Sequence, residues 1–330
     1  MAKLSQKQIG ILGTGAYVPE AILSNEALEK IVETSAEWIV ERSGIHERRI
    51  AAPEEDTVTM AVLAGRQALE NAGLEPEQLS FIILGTNTPP HFFPAGAIQV
   101  QEELGIGGKA AAFDLQAGCC GFNYALYVGE RLVAPEGAYA MVIGSDTNSR
   151  FTDWTDRATC MLFGDGAGAV VIGPGPRGRI IKSFIASKLN MNLFCETEFD
   201  KEVSPFLPPQ THTARHFLRM DGRDIFKFAV NAVKESIPRI LEMAGMTRED
   251  IDYLIIHQGN YRILESGAKF ARMPMDKVFV NINRYGNTSA ASVPIALHEA
   301  LAEGKIKPGD KVVLISFGAG ATWGATLLEW

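Results

Sequence analysis

The sequence predicts an α/β fold made of two duplicated halves. Residues 69–84 and 241–256 each end an apolar helix at Ala-Gly, cross a short acidic loop and enter an apolar strand. Residues 163–172 and 317–326 are each a glycine-rich turn followed by an apolar strand. Glycine commonly ends a helix, and continuous apolar strands are typical of sheets buried on both faces. A repeat unit of this length indicates a duplicated domain rather than a solenoid.

Length and composition agree with this duplication. The chain has 330 residues, of which 46% are hydrophobic and 21% are charged, as expected for a soluble globular protein of about two domains. We divide it into an N-terminal half, residues 1–174, and a C-terminal half, residues 175–330. In duplicated α/β sheets, functional sites form where loops of the two halves meet beyond the strand ends.

Charge and cysteine content restrict the possible partners and compartment. The net charge of −8 and the pI near 5.4 argue against a nucleic-acid partner, which needs a concentrated basic face. The four cysteines have neither metal-ligand spacing nor the pattern of a disulfide framework, so we expect a reducing, cytoplasmic location. No apolar leader and no run of roughly 18 apolar residues is found, which predicts a protein that is neither exported nor membrane-embedded.

The first element is a strand over residues 8–16 that ends in Gly-Thr-Gly, followed by a helix near 26–33. Gly13 and Gly15 raise the possibility of a dinucleotide site. That motif requires a third glycine, and Val18 stands at its position, so we reject a nucleotide-binding function for this turn.

The next element is a helix that carries Trp38 and Arg42 on one face. Thr34-Ser-Ala-Glu37 is predicted to form a capping box at its start. A helical Trp is more often part of the core than a ligand platform. An Arg one turn away from it could, however, frame a planar anionic group.

Residues 110–134 predict an apolar strand that turns through a small-residue corner into an apolar helix. Cys119 lies at the corner, between Gly118 and Gly121. Unpaired N–H groups at a helix start favour negative charge, so we expect this thiol to ionise more easily. Small neighbours would let a substrate carbonyl approach the sulfur and the adjacent amides, as an oxyanion site requires. The alternative is that Cys119 and Cys120 are ordinary buried residues.

The second half supplies two further candidates at equivalent positions. His257 follows the predicted strand 253–256. A predicted strand over 278–282 leads through a loop containing Asn287 into a helix over 290–302, which parallels the strand, corner and helix around Cys119. A lone His is usually structural, and an Asn in such a loop is usually a turn residue or cap. Together, however, the three residues predict a Cys, His and Asn site at three equivalent strand ends.

At this point the sequence resembles a known family. It is similar over nearly its whole length to the thiolase-fold condensing enzymes and, within them, to β-ketoacyl-[acyl-carrier-protein] synthase III. The matching segments are residues 34–45, 113–122, 163–169, 256–260, 286–294 and 317–324. The resemblance implies a thiolase-like fold with a layered α-β-α-β-α core.

The resemblance also implies a reaction and the residues that perform it. Cys119 matches the family's nucleophile, and His257 and Asn287 match its partners, which excludes related enzymes that use two histidines. An acyl-CoA starter would acylate Cys119. Malonyl-acyl carrier protein would then lose CO2 and condense with the acyl group in a decarboxylative Claisen step, giving the 3-oxoacyl product that initiates fatty acid biosynthesis.

Further implications concern the oxyanion, cofactors and one departure from the family. The backbone N–H groups of Cys119 and Ala319 would hold the oxyanion, and no metal or redox cofactor is expected. Cys120 replaces a residue that is usually Ala, which affects local packing or oxidation sensitivity more than the chemistry.

The resemblance further assigns surfaces for the two carriers. The residues that match the family's coenzyme A site are Trp38, Arg42 and Arg157. Those that match its patch for the acidic acyl carrier protein are Lys227, Arg262 and Lys269. Arg272 could add charge to this patch, although no family role is carried onto it. The alternative for all of these cations is ordinary solvated surface charge.

Two more features follow from the resemblance and the pattern. Phe93 matches a residue that crosses a homodimer interface to close the partner's acyl pocket. Residues 186–220, with Pro205, Pro208 and Pro209 and no clear periodicity, are expected to cover the acyl tunnel and to set acyl-length preference.

Two other functions stay open. One is a specialised acyltransferase or starter-condensing enzyme of secondary metabolism on the same scaffold, which the motifs do not separate from the first. The other is a catalytically silent partner subunit or binding protein, which the intact Cys119, His257 and Asn287 disfavour.

Overall fold

The computed structural model describes residues 8–195 and 217–330. The strands are β1 (Ile9–Tyr17), β2 (Ile22–Ser24), β3 (Glu47–Arg49), β4 (Leu79–Gly85), β5 (Ala111–Leu115), β6 (Tyr139–Asp146), β7 (Gly166–Pro174), β8 (Arg179–Asn190), β9 (Leu193–Phe194), β10 (Arg219–Met220), β11 (Tyr253–Ile256), β12 (Lys311–Gly318) and β13 (Gly320–Glu329). The helices are α1 (Asn25–Leu28), α2 (Ala36–Ser43), α3 (Thr57–Ala72), α4 (Gly96–Glu103), α5 (Gly121–Val133), α6 (Arg157–Cys160), α7 (Gly222–Ala244), α8 (Tyr261–Ala271), α9 (Ile282–Tyr285) and α10 (Ser292–Ala302).

The main sheet has two halves with similar strand patterns, the first of which has one more parallel strand than the second. Its order is β11-β12-β13-β8-β1-β7-β6-β4-β5. In the first half, β5, β4 and β6 are parallel, and β7 and β1 continue antiparallel. In the second half, β11 and β12 are parallel, and β13 and β8 continue antiparallel. The predicted duplication is therefore confirmed.

The helices form three layers around the strands of the two halves. α3 packs against β1, β6 and β7, and α7 packs against β8, β12 and β13. Between the halves, α5 contacts β4, β6 and β7 on one side and β8, β12 and β13 on the other. Since α10 also contacts strands of both halves, the predicted α-β-α-β-α layering is confirmed.

The central layer fits because glycines on the strands let it approach closely. A Cβ atom on Gly144 of β6 would lie 2.2 Å from the carbonyl oxygen of Ala290. A Cβ on Gly168 of β7 would lie 2.7 Å from the backbone nitrogen of Ile295 in α10. This close approach brings the loop before α10 to the carboxyl end of β6.

The proposed division after residue 174 falls at the end of β7, before β8 begins at Arg179. The boundary itself stays a prediction. The predicted helix ends are confirmed, because α3 and α7 end at Gly73 and Gly245 in the left-handed conformation that glycine adopts at little cost.

Three local predictions are wrong in detail. The helix expected at 26–33 ends at Leu28, and the chain continues in turns. The cap of α2 is Ser35 rather than Thr34, because the Ser35 hydroxyl accepts the Trp38 N–H. The strand expected at 278–282 is reduced to a single bridge between Val278 and Leu254.

The side chain of Gln258 explains the missing strand. Its Oε1 accepts the backbone N–H groups of Asn281 and Ile282, at 3.0 and 3.1 Å. These donors would otherwise be available to a neighbouring strand, and α9 begins at Ile282 instead.

Across the described ranges, no helix has both the length and the apolar character needed to cross a membrane.

Candidate active site

Cys119 lies at the corner between β5 and α5 and is buried, with 8% of its surface exposed. Gly118 makes this corner possible. Its φ is +56°, and a Cβ atom there would lie 2.6 Å from the backbone nitrogen of Ala319. The corner and the turn between β12 and β13 are therefore in close backbone contact.

The turn that carries Ala319 is held against the corner by Thr322. Its hydroxyl lies 2.6 Å from the carbonyl oxygen of Ala117 and 3.1 Å from that of Ala319. The backbone N–H groups of Cys119 and Ala319 both stabilise a charge on the Cys119 sulfur. The two amides that the resemblance assigns to the oxyanion thus converge on the candidate nucleophile.

The charge state of the thiol differs from the sequence expectation. Burial raises the pKa of Cys119 to about 11, and the Asp146 charge adds to this effect. The hydroxyl of Ser289, 3.5 Å from the sulfur, lowers the pKa, as do the two amides, but burial outweighs them. The prediction that the helix start alone makes this thiol ionise easily is therefore wrong, because removing a thiolate from water costs more than these donors return.

His257 follows β11 and is nearly fully buried. Its backbone N–H donates to the carbonyl of Ile315, at 2.8 Å, and its ring packs edge-on against Phe317 with centroids 5.0 Å apart. Nδ1 has no hydrogen-bond partner in the described part of the chain. Because burial lowers the pKa of His257 to about 3, the imidazole is neutral at pH 7.

Both backbone polar groups of Asn287 are hydrogen-bonded. Its N–H donates to the carbonyl of Leu162, at 2.8 Å, and its own carbonyl accepts the N–H of Gly164, at 3.0 Å. The side-chain Oδ1 accepts the backbone N–H of Ser289, at 2.9 Å. This contact orients the amide so that Nδ2 is its donor end.

Short contacts link the three candidate residues. Ser289 touches both the Cys119 sulfur and the Asn287 amide. Phe317 contacts His257, and a Cβ on the next residue, Gly318, would lie only 2.4 Å from the backbone nitrogen of Cys119. The structure therefore gathers loops from both halves around the thiol.

A cavity of about 700 Å³ opens onto the thiol. Cys119, Ser289 and Ala319 line it, whereas His257 and Asn287 do not. Its wall also includes Met191 and Leu193, which belong to the segment of residues 186–220 predicted to cover an acyl tunnel. Pro205, Pro208 and Pro209 of that segment lie outside the described residues.

Cys120 is fully buried and is absent from the lining of the cavity. Its sulfur lies 2.8 Å from the hydroxyl of Ser316 on β12. Burial raises the pKa of this thiol to about 12. The second cysteine therefore packs into the interior and stays protonated at neutral pH.

Trp38 and its two predicted partners are brought together. The guanidinium of Arg157 lies 4.8 Å from the centre of the indole ring, and that of Arg42 lies 5.8 Å from it. Arg157 also donates to the carbonyl of Glu33, at 3.2 Å. An aromatic face with two cations beside it suits a planar, negatively charged ligand.

The three predicted carrier-protein cations lie on two packed helices and are exposed. Lys227 of α7 forms an ion pair with Asp224, at 3.5 Å. Arg262 of α8 donates to the carbonyl of Glu41, at 2.9 Å, and Lys269 lies in the last turn of the same helix. Arg272 follows as the cap of α8.

Phe93 lies in the loop between β4 and α4 and is 87% exposed. Asp114 anchors this loop, because its carboxylate accepts the N–H groups of Gly96 and Ala97, both at 2.7 Å, at the start of α4. Neighbouring Phe92 lines the cavity.

Sequence reasoning missed three polar residues beside the nucleophile, namely Asn87, Asp146 and Ser289. Asp146 ends β6, Asn87 follows β4 and Ser289 precedes α10, and these positions are the sequence signal that the three residues give. Among residues 8–195 and 217–330, no group of three or more His, Cys, Asp or Glu side chains is placed to hold a metal ion. The absence of a cofactor stays a prediction.

Comparisons with known proteins agree with this geometry. The family model described as 3-oxoacyl-[acyl-carrier-protein (ACP)] synthase III matches residues 113–189, and its C-terminal model matches residues 241–330. The chain is 46% identical to beta-ketoacyl-[acyl-carrier-protein] synthase III of Geobacillus kaustophilus, over 97% of this chain and 98% of that one.

Solved structures agree as well. The 3-oxoacyl-[acyl-carrier-protein] synthase III of Aquifex aeolicus has a TM-score of 0.89 at 43% identity, covering 98% of this chain and all of that one. The priming beta-ketosynthase of the R1128 polyketide pathway has a TM-score of 0.92 at 32% identity, covering all of this chain and 98% of that one. The chain therefore belongs to the 3-oxoacyl-[acyl-carrier-protein] synthase III family.

Proposed function

We propose that this protein condenses an acyl-CoA starter with malonyl-acyl carrier protein, through an acyl-Cys119 intermediate, to give a 3-oxoacyl product that initiates fatty acid biosynthesis. The observation that carries the proposal is the buried Cys119 thiol in the lining of the cavity, where the backbone amides of Cys119 and Ala319 stabilise a charge on its sulfur. Membership of the family supports the same reaction.

The first half-reaction acylates the thiol. The Cys119 sulfur attacks the thioester carbonyl, and the amides of Cys119 and Ala319 hold the oxyanion. The carbon–sulfur bond to coenzyme A then breaks, and the thiol proton leaves with the coenzyme A sulfur. Since the Cys119 thiol is protonated at rest, its proton is transferred before or during the attack.

The second half-reaction uses the neutral His257 and Asn287 as N–H donors. They hold the thioester oxygen of the malonyl group while its carboxylate leaves as CO2 and negative charge develops on that oxygen. The enolate attacks the acyl-Cys119 carbonyl, and the Cys119 sulfur leaves as a thiolate that takes up one proton from water. A neutral imidazole suits this role, and burial keeps His257 neutral.

The remaining assignments belong to the same proposal. Trp38, Arg42 and Arg157 bind the adenine end of coenzyme A, and their stacked arrangement supports this. The exposed cations Lys227, Arg262 and Lys269 receive the acidic carrier protein. Phe93, exposed in one chain, closes the acyl pocket of a second copy in a homodimer. The reaction takes place in the cytoplasm and needs no bound cofactor.

The direct test is the intact mass of the protein after incubation with a panel of acyl-CoA thioesters, followed by release of labelled CO2 from malonyl-acyl carrier protein. We expect one acyl adduct per chain, no adduct on Cys119→Ser, and CO2 release that depends on the adduct. Normal adduct levels on Cys119→Ser would reject the proposed nucleophile.

One relative favours a second candidate, a starter-condensing enzyme of secondary metabolism. The R1128 protein, which covers the whole chain, is a priming beta-ketosynthase of a polyketide pathway. The same acyl-CoA panel separates the two functions. Preference for a short primary-metabolism starter supports fatty acid synthesis, and preference for an unusual starter, or transfer of the acyl group to oxygen or nitrogen, supports the alternative.

A further inference from the structure

A fully buried carboxylate lies next to the candidate nucleophile and has no part in the reaction proposed above. Asp146, the last residue of β6, accepts the backbone N–H of Asn87 at 2.7 Å and that of Ala290 at 3.0 Å. It also accepts the hydroxyl of Thr86 at 3.0 Å and that of Thr88 at 3.1 Å. Asp146 therefore joins the ends of two strands to the loop before α10.

Asn87 and Ser289 connect this carboxylate to the thiol. Nδ2 of Asn87 lies 3.3 Å from Asp146 Oδ2 and 3.3 Å from Ser289 Oγ. The Ser289 hydroxyl in turn lies 3.5 Å from the Cys119 sulfur. When Asn87 donates a hydrogen bond to Ser289 Oγ, the hydroxyl hydrogen of Ser289 remains available to donate to the Cys119 sulfur or to Asp146.

The backbone of Ser289 needs this support. Its φ is +54°, a left-handed conformation that residues other than glycine rarely adopt. The N–H of Ser289 donates to Asn287 Oδ1, and the next N–H, of Ala290, donates to Asp146. A strained residue at a functional site persists only when its surroundings fix it.

We propose that Asn87, anchored by Asp146, is a positioning residue that acts through Ser289 to hold a hydroxyl donor against the Cys119 thiolate as it forms. The proposal rests on the proposed function, because it takes Cys119 as the nucleophile. Ser289 keeps its proton throughout and donates a hydrogen bond, so no additional proton transfer is required.

The electrostatics agree with this role. The Ser289 hydroxyl lowers the pKa of Cys119, whereas the Asp146 charge raises it. Burial raises the pKa of Asp146, and the same hydroxyl is one of the donors that lower it. One hydroxyl proton cannot serve both groups at once, so the acceptor that it faces affects how readily the thiol ionises. The titratable side chains that border Cys119 or line its cavity, besides Asp146, are His91, Asp114, Cys120, Cys195 and, across Phe317, His257.

The test is the rate of alkylation of Cys119 by iodoacetamide between pH 7 and 10.5, measured from the mass of the Cys119 peptide. This reaction reports the thiolate and needs no acyl substrate. We expect Ser289→Ala to slow alkylation at pH 8 by about tenfold, because a hydrogen bond to a charged group is lost. Asn87→Ala should slow it several-fold, and the ratio of wild-type to variant rates should stay nearly constant up to about pH 10, because a pKa of about 11 or higher leaves the thiol mainly protonated in all of them.

Double variants test whether the effect passes through Ser289. The Asn87→Ala and Ser289→Ala pair should be no slower than Ser289→Ala alone, since residues that act in series are not additive. Asn87→Ala should also have little further effect in an Asp146→Asn background. Asn87→Thr, which keeps one donor, gives an intermediate rate and provides a second variant should Asn87→Ala not fold. Asn71→Ala is the control, because it removes an amide donor to the Thr14 carbonyl away from the cavity.

The inference is overturned if Asn87→Ala alkylates at the wild-type rate at pH 8, or if the losses in the Asn87 and Ser289 double variant multiply. A rate deficit that is larger for the bulkier N-ethylmaleimide than for iodoacetamide would also overturn it, because that pattern reports access rather than ionisation. If the predicted pattern appears but acyl-CoA forms no adduct on Cys119, the proposed function fails and the positioning role remains.

Discussion

Replacing Asn287 should separate the two half-reactions. Asn287 contributes an N–H donor for the malonyl step in our mechanism, whereas the acylation step relies on the amides of Cys119 and Ala319. We therefore expect Asn287→Ala to form the acyl-enzyme and to lose CO2 release from malonyl-acyl carrier protein. Removing one preorganised donor typically costs about 10² to 10³ in rate.

The structure also predicts a stability cost that can be separated from the catalytic one. Asn287 Oδ1 accepts the N–H of the buried Ser289, at 2.9 Å. Asn287→Ala leaves this donor without a partner, which costs about 1–3 kcal/mol. Asn287→Asp keeps an acceptor for the Ser289 N–H, although burying its charge costs stability of its own, and it has no N–H to offer, so CO2 release should stay at least 10²-fold low.

Adduct mass and labelled CO2 release measure the two steps separately, and thermal unfolding measures stability. His257→Ala serves as a comparison, because it should damage condensation and, through loss of a neighbouring imidazole, also slow acylation. Loss of acylation in Asn287→Asp, with decarboxylation intact, would refute the assigned role. Survival of both steps would favour the acyltransferase alternative, in which no carbanion needs stabilising.

Three further predictions follow from the geometry. Arg157→Ala should raise the KM for acyl-CoA several-fold and leave kcat nearly unchanged. Arg177→Ala, which removes an arginine from the face of a different tryptophan, should change neither KM nor kcat. Equal effects of the two variants would refute the coenzyme A site. Between pH 6 and 9.5 the alkylation rate of Cys119 should rise about tenfold per pH unit, because a pKa of about 11 leaves the thiol mainly protonated over this range. A rate that reaches a plateau near pH 8 would contradict this. Gly118→Ala should slow acylation by at least 10²-fold and should lower the melting temperature more than Gly73→Ala does. Both glycines have positive φ, but only at Gly118 would the new Cβ lie 2.6 Å from the backbone of the neighbouring turn. Equal melting temperatures of the two variants would contradict this.

Much of the fold was predictable because the duplication repeats the same sequence features in both halves. The helix ends at Gly73 and Gly245 have the same local chemistry, so each supported the other. The strand expected at 278–282 does not form, because the side chain of Gln258, which is distant in sequence, accepts the backbone N–H groups of Asn281 and Ile282. Such a side-chain-to-backbone contact leaves no periodic signal.

The candidate site was predictable only in part from the sequence. Cys119 could be located from its small neighbours and the strand-to-helix corner, but its ionisation could not, because burial depends on loops of both halves. Ser289 and Asp146 were missed for a related reason, since each becomes meaningful only when the end of β6 meets the loop before α10.

A single-turnover chase tests the central claim most directly. The enzyme is loaded with a labelled acyl group from acyl-CoA, freed of coenzyme A, and mixed with malonyl-acyl carrier protein. We expect the Cys119 peptide to lose its label as one equivalent of labelled 3-oxoacyl-acyl carrier protein and one equivalent of CO2 appear. Label that stays on Cys119 while unlabelled product forms, or label found on another cysteine, would contradict it.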